Sequence, residues 1–171
     1  IPNSRNMPAA LPTGKRRPGR GVMLASLDSR KQIDHAIRAM AAVKKARPGR
    51  RLRLDVWGQG ELQAKLADLI KKLGAPVRLK GHSPDAPEEF THASFSLLTS
   101  RSEAFGNVLI ESMGRGCIPI SYDMPYGPSD IITHGVDGYL VPVGDQDALA
   151  EQIRAVVSAH QSALAPMREA G

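Results

Sequence analysis

Two carboxylates bracket a glycine turn in the segment SRSEAFGNVLIESMGRG, residues 100–116: Glu103 lies ahead of Phe105-Gly106 and Glu111 behind it. If a helix begins near Gly106, the free backbone N–H groups of Gly106, Asn107 and Val108 point outward with the positive end of the helix dipole. That combination holds a phosphate or diphosphate, and glycine at 106 lets such a ligand come close to the backbone. A carboxylate repels phosphate, so the partners that suit Glu103 and Glu111 are hydroxyls, which donate charge-assisted hydrogen bonds to them. A ligand with a central diphosphate and hydroxylated rings on both sides, as in a nucleotide sugar, meets all three zones. Two surface glutamates around an ordinary helix start have the same spacing, and both readings stand at this point.

Other candidate motifs have simpler explanations. WGQGEL, residues 57–62, follows an apolar run and opens a helical pattern, but the third glycine of a dinucleotide fingerprint is replaced by Gln63. A tight turn at Gly58 with close backbone approach to a ligand is the better reading. Asp145-Gln146-Asp147 has a spacing that can hold a divalent cation, yet it opens a helix, where Asp145 serves as N-cap and Asp147 as a first-turn acid. The five histidines fit no metal spacing, and His82 and His134 are left as loop residues for polar contacts. Cys117, the only cysteine, excludes an internal disulfide and reads as a small core residue. The basic clusters Lys15–Arg17, Lys44-Lys45, Arg47–Arg53 and Lys71-Lys72 lack interleaved aromatics and read as solvated helix ends, not a nucleic-acid surface.

The elements that would position these residues alternate along the chain. An apolar run at Gly21–Ser26 and the segments Arg51–Trp57, Val77–Gly81, Ser94–Ser100, Ile118–Asp123 and part of VDGYLVPV predict strands. Between them, Ile33, Ile37, Met40 and Val43 mark an amphipathic helix, and further helices are expected over 61–73 (stopped by Gly74), 106–115, around Pro128, and from Asp145 to about 160. This order predicts a doubly wound, Rossmann-like parallel α/β sheet of about six strands with helices on both faces. The ligand crevice of such a sheet lies at the carboxyl ends of its strands. Residues 1–20, rich in Pro, Gly and basic side chains, read as a hinge or linker, 21–160 as the domain and 161–171 as a tail.

The chain has 171 residues with 42% hydrophobic, 4% aromatic and 23% charged side chains, which suits one globular domain with an aliphatic core. Its net charge of +6 favours an anionic partner or a solvated basic face. No apolar run approaches the roughly 20 residues of a membrane span, and the first residues do not read as a signal peptide. The expected location is cytoplasmic, with the inner membrane face as a peripheral option.

EAFGNVLIE resembles the E-x7-E motif of retaining family 4 glycosyltransferases of the GT-B fold, the glycosyl transferases group 1. LDSRKQIDHAIRAM, VWGQGELQAKLADLIKKLG, VRLKGHSPD, GCIPISYD and HGVDGYLVPVGDQDALAEQI are similar to further segments of that family in the same order, IPN resembles its interdomain hinge, and YGPSDII resembles enzymes that glycosylate poly(glycerol phosphate) teichoic acids. The resemblance implies one half of a GT-B fold, binding a nucleoside-diphosphate sugar, UDP-sugar in particular, and transferring a hexose with retention and no bound metal or other cofactor. It implies that Glu103 contacts donor-sugar hydroxyls, Glu111 the ribose, Asn107 and Val108 the diphosphate through their N–H groups, and Lys31 its charge. The segment with Arg78, Lys80 and His82 would frame the base. Where the family places an arginine five residues before the lysine, this chain has Ser26, and Arg30 is the substitute at hand; the glycine usual between Glu103 and Phe105 is Ala104. The N-terminal acceptor domain of a complete enzyme is not among these residues, so the chain is expected to be a donor-binding half, inactive alone. Its partners would be the nucleotide sugar, that missing domain and an anionic polymer or membrane-associated acceptor.

Two other functions compete with this reading. The basic excess suits a non-catalytic module that binds a polyanion, either nucleic acid or anionic membrane. A glycoside hydrolase would use Glu103 and Glu111 as an acid–base pair, roughly 5–9.5 Å apart across one bond. Two carboxylates flanking a phosphate site suit a diphosphate ligand better.

Overall fold

The computed structural model describes residues 8–12 and 14–171; the hinge-like IPN lies outside the described residues. The chain runs β1 (Arg17–Leu24), α1 (Ile33–Ala46), β2 (Arg53–Trp57), α2 (Gln63–Leu73), β3 (Val77–Gly81), β4 (Ala93–Leu98), α3 (Asn107–Met113), β5 (Ile118–Tyr122), α4 (Pro128–Ile131), β6 (Tyr139–Val141), α5 (Gln146–Ser158) and α6 (Gln161–Ala170). Two 3-10 segments, Ser29–Lys31 and Ala86–His92, sit in the connections.

Every strand pairs parallel to its neighbours, in the order β3-β2-β1-β4-β5-β6. The chain starts in the middle of the sheet, works outward to β3, and returns across to lay β4 on the free side of β1. That reversal makes the β1/β4 boundary the switch point, where the loops leaving the two strands diverge and open a crevice. β4 and β5, covered on both faces, are buried at every position, as parallel strands between helical layers must be.

The helices follow from local rules. α1 buries Ile33, Ala36, Ile37, Met40 and Val43, a stripe at helical spacing that packs on the sheet. α2 stops at Gly74, whose φ of +57° lets its N–H reach Lys71 O while Ala75 N–H reaches Ile70 O, a Schellman closure. The Asp145 carboxylate accepts from Ala148 N–H at 2.9 Å and caps α5, as expected.

Four sequence expectations change. β1 begins at Arg17, inside the segment read as linker. Pro18 and Gly19 masked it: the register against β4 shifts between Arg17 and Gly21, so the turn-forming residues occupy an irregularity within the strand. Residues 161–170, read as part of an uncertain tail, form α6, with Leu164 buried and Pro166 inside the helix. α3 is shorter than the predicted 106–115 span.

A fourth change concerns the basic clusters. Lys44, Lys45, Lys71 and Lys72 are exposed in last helical turns, as expected. Arg20 and Arg53 instead stand on adjacent strands around the buried Asp55. Arg20 Nε and Nη2 donate to Asp55 Oδ2 at 3.1 and 3.0 Å, Arg53 Nη2 lies 3.1 Å from the same oxygen, and Arg20 also pairs with Glu89. Arg16 donates to the Phe90 and Ala93 carbonyls at 3.1 and 3.0 Å, tying the entering chain to the start of β4.

Candidate active site at the sheet switch point

The β1–α1 loop carries Lys31 and the β4–α3 loop carries Glu103, and the two side chains form an ion pair across the switch point. Both are largely sheltered, at 12% and 15% exposure, so solvent screens the pair less than a surface pair. Each loop is held by its own hydrogen bonds. Asp28 Oδ1 accepts from the N–H groups of Arg30 (2.9 Å) and Lys31 (3.3 Å), and Oδ2 accepts from the Ser26 hydroxyl at 2.6 Å. The Ser26 hydroxyl first, then the two N–H groups, hold the Asp28 carboxyl below its usual range, so it stays ionised as the cap of the turn that presents Lys31.

Residues that the sequence did not single out clasp the loops together. The Thr99 hydroxyl donates to the Lys31 and Gln32 carbonyls at 2.8 and 3.1 Å, and Arg101 N–H donates to Arg30 O at 3.0 Å. The Ser100 hydroxyl donates to Glu103 Oε1 at 2.6 Å, which turns the carboxylate toward Lys31. Gln32 adopts left-handed backbone, φ +46°, where the chain turns into α1. The one signal available beforehand was Thr99-Ser100 directly at a strand's carboxyl end, two hydroxyls where a crevice was due.

Behind Glu103 the chain turns at Gly106, whose φ of +75° is left-handed backbone that glycine adopts without cost. Among the described residues no side chain caps α3. Asn107 is exposed at its start, Val108 packs partly against the small cluster around Phe90 and Cys117, and Glu111 is half-buried one turn further on. The Glu111 carboxylate makes no ion pair or hydrogen bond with another described side chain. The switch point thus gathers a cation, a carboxylate and uncapped N–H groups, with a second carboxylate along the same helix. Arg30 is exposed beside Lys31, while Ser26 is engaged with Asp28.

The remaining candidates separate. A Cβ on Gly58 would stand 1.8 Å from the Ala25 carbonyl oxygen, and φ there is +145°. The close approach this glycine permits is that of the chain's own β1–α1 loop, which is further fastened by Leu27 N–H to Gln59 O at 3.0 Å. Lys80 Nζ lies 5.5 Å from the Trp57 ring centre, a cation–π contact at the carboxyl ends of β2 and β3. His82 is exposed just beyond β3. His134 Nδ1 accepts from Leu140 N–H at 3.0 Å, a loop fastening away from Lys31.

Cys117 is core, as expected: it is 2% exposed among Val22, Phe90 and Ala93. Burial pushes its thiol from 9.0 up to about 12. Thiol reagents are therefore expected to label it only after unfolding. Between about pH 9 and 12 the unfolded thiol loses its proton while the folded one keeps it, so stability should fall as pH rises, at up to about 1.4 kcal/mol per pH unit. Tyr122, raised from 10.0 to about 12 by burial, adds to the same decline. A pH series of urea melts checks both.

Comparison with known proteins bears on the family and the fold. The family described as glycosyl transferases group 1 matches residues 17–170. An exopolysaccharide phosphotransferase of Streptomyces coelicolor is 43% identical over 135 residues, covering 77% of this chain and 14% of that protein. The poly(glycerol-phosphate) alpha-glucosyltransferase of Bacillus subtilis is 32% identical over 147 residues, covering 83% of this chain and 22% of its own. The pneumococcal O-GlcNAc transferase GtfA, solved with UDP and GlcNAc, superposes with a TM-score of 0.83 at 28% identity, over 94% of this chain and 32% of that one. The chain thus spans about a third or less of these relatives' lengths. With its six-stranded Rossmann-like sheet and its match from β1 to α6, the chain belongs to the glycosyl transferases group 1 family.

Proposed function

We propose that this chain is the donor-binding half of a retaining glycosyltransferase that moves a hexose from a UDP-sugar to a hydroxyl acceptor, with a phosphate-containing polymer as the acceptor class. The observation that carries the reading is the meeting of Lys31 and Glu103, from two different loops, beside the uncapped start of α3. The bound UDP and GlcNAc of the pneumococcal relative and the name of the Bacillus relative support the donor and acceptor classes.

In this reading the diphosphate displaces Glu103 from Lys31 and takes the N–H groups of Asn107 and Val108, with Arg30 as a second cation in place of the arginine absent at Ser26. Glu103, released, accepts from sugar hydroxyls, and Glu111 accepts from the ribose. Trp57, Lys80 and His82, at the ends of β2 and β3, frame the base. As the bond from the anomeric carbon to the diphosphate breaks, charge grows on the leaving oxygen, where Lys31 and the helix end stand ready. The acceptor oxygen bonds to the same face of the sugar, and its proton passes to a phosphate oxygen. The resident charges supply the neutralisation, so no metal is assigned a role. The acceptor is held by a further domain, and the chain alone binds donor without turnover.

Titration of the chain with UDP is the test. Saturable binding is expected, and Glu111→Ala should weaken it about tenfold or more, since each hydrogen bond to a charged group contributes roughly 1.5–3 kcal/mol. A folded sample that binds no nucleotide would sink the proposal.

A further inference from the structure

The amino-terminal edge of the sheet carries a groove of its own. It has a volume of about 1060 Å³, begins where β1 and β2 enter the sheet, and extends to His92 and the end of α5. Lys15, Arg17, Arg50 and Arg51 line it and are exposed, and no carboxylate is among its lining residues. The nearest acids are already engaged: Asp55, 2% exposed, serves Arg20 and Arg53, and Glu89 serves Arg20. Among the described residues no ion pair neutralises Lys15, Arg17, Arg50 or Arg51. Among the described residues Arg53 Nε is a buried donor with no partner. Concentrating like charge in a concavity costs self-repulsion and focuses a positive potential there, which an anion of matching spacing relieves.

We propose that this groove binds a flexible phosphate polymer, a chain of repeated phosphate anions without bases. Guanidinium groups dominate the lining, and their planar forks match phosphate oxygens two at a time. The cations come from two separate approaches to the sheet, at the entry to β1 and before β2, so one small anion reaches only part of the set. No Phe, Tyr or Trp lines the groove, and single-stranded nucleic acid sites depend on such rings for stacking. Membrane-surface sites combine basic residues with apolar anchors. The exposed large apolar side chains here, such as Phe105 and Tyr126, are not in the lining, and Leu52 within it is only half-exposed. The groove lies at the far end of β1 from the Lys31 crevice, about 26 Å away for an eight-residue strand. A polymer held there leaves the crevice open, so this inference stands or falls independently of the nucleotide reading.

The experiment is a titration of fluorescently labelled long-chain inorganic polyphosphate with the chain at several salt concentrations. Binding is expected, with log K falling linearly against log salt at a slope of about 3, roughly 0.7–0.9 per phosphate contacted by the four exposed cations. The double variant Arg17→Glu/Arg51→Glu should bind about tenfold or more weakly while UDP affinity is unchanged. Lys44→Glu/Lys72→Glu, with the same change in net charge on exposed helix ends, should stay within about twofold of the parent. Should the glutamate variant fail to fold, Arg17→Gln/Arg51→Gln replaces it. No binding, equal losses in the two double variants, competition by UDP, or tighter binding to an oligonucleotide of equal charge or to phosphatidylglycerol vesicles would each overturn the proposal.

Discussion

Lys31→Ala is expected to weaken UDP binding about 10- to 150-fold, while Glu103→Ala leaves it unchanged or strengthens it. In the free protein the two side chains satisfy each other. A diphosphate must take Lys31 away from Glu103, and it gains charge-assisted hydrogen bonds in the exchange. Removing Lys31 deletes those bonds, at roughly 1.5–3 kcal/mol, with tenfold for each 1.4 kcal/mol. Removing Glu103 deletes only the competitor, so UDP alone has nothing to lose. A UDP-hexose does lose, because the sugar hydroxyls lack their acceptor. Calorimetric titration of UDP and UDP-glucose into both variants separates the roles. If Glu103→Ala weakens UDP as much as Lys31→Ala does, Glu103 positions the lysine and does not face the sugar.

Asp55→Ala is expected to cost about 3–5 kcal/mol of stability, the range for removing one partner of a buried ion pair. Asp55 is 2% exposed and Arg20 8%. Without the carboxylate, Arg20 keeps Glu89 at the groove but loses the oxygen that received both Nε and Nη2, and Arg53 loses its partner as well. Against a typical total of 5–15 kcal/mol that is a large fraction. It corresponds to a fall in melting temperature of about 6–20 °C for a chain of this size. Asp55→Asn should cost less, since the amide oxygen still accepts a hydrogen bond. Urea melts of the three proteins check the order, and a loss below 1 kcal/mol for Asp55→Ala would show that Arg20 finds another acceptor. The effect on nucleotide binding should be small, because the cluster lies in the middle and amino-terminal part of β1 and β2, away from the loops that carry Lys31 and Glu103.

The reading of the sheet came from patterns that act locally. Ile33, Ile37, Met40 and Val43 could bury a common face only as a helix, and β4 and β5, whose only polar side chains are small serines and a terminal tyrosine, suit strands covered on both sides. The elements that misled were those carrying residues with a second meaning. Pro18 and Gly19 belong to turns by composition but here occupy an irregular register beside β4. Pro166 signals a break, yet α6 continues around it.

The site divides in the same way. The spacing of Glu103, Gly106 and Glu111 was legible because one loop and one helix contain all three, and helix geometry sets their relation. Thr99 and Ser100 were not legible as clasps, since a hydroxyl at a strand end has no partner until another loop is placed beside it. Gly58 was legible as a close approach, but not as to what approaches; the Ala25 carbonyl fills that place.

By itself, then, the sequence determined the order and type of most elements, the parallel sheet, the core role of Cys117 and the cap at Asp145, because each rests on contacts within a turn or on the burial of one face. Tertiary structure decided which charges meet. Lys31 faces Glu103 across 72 positions of chain, Arg20 and Arg53 converge on Asp55, and the exposed arginines of two distant segments line one groove. Pairings of that kind depend on the strand order, which puts β1 between β2 and β4. Electrostatic partners are chosen by distance in space, and a residue's own neighbours in sequence carry no record of it.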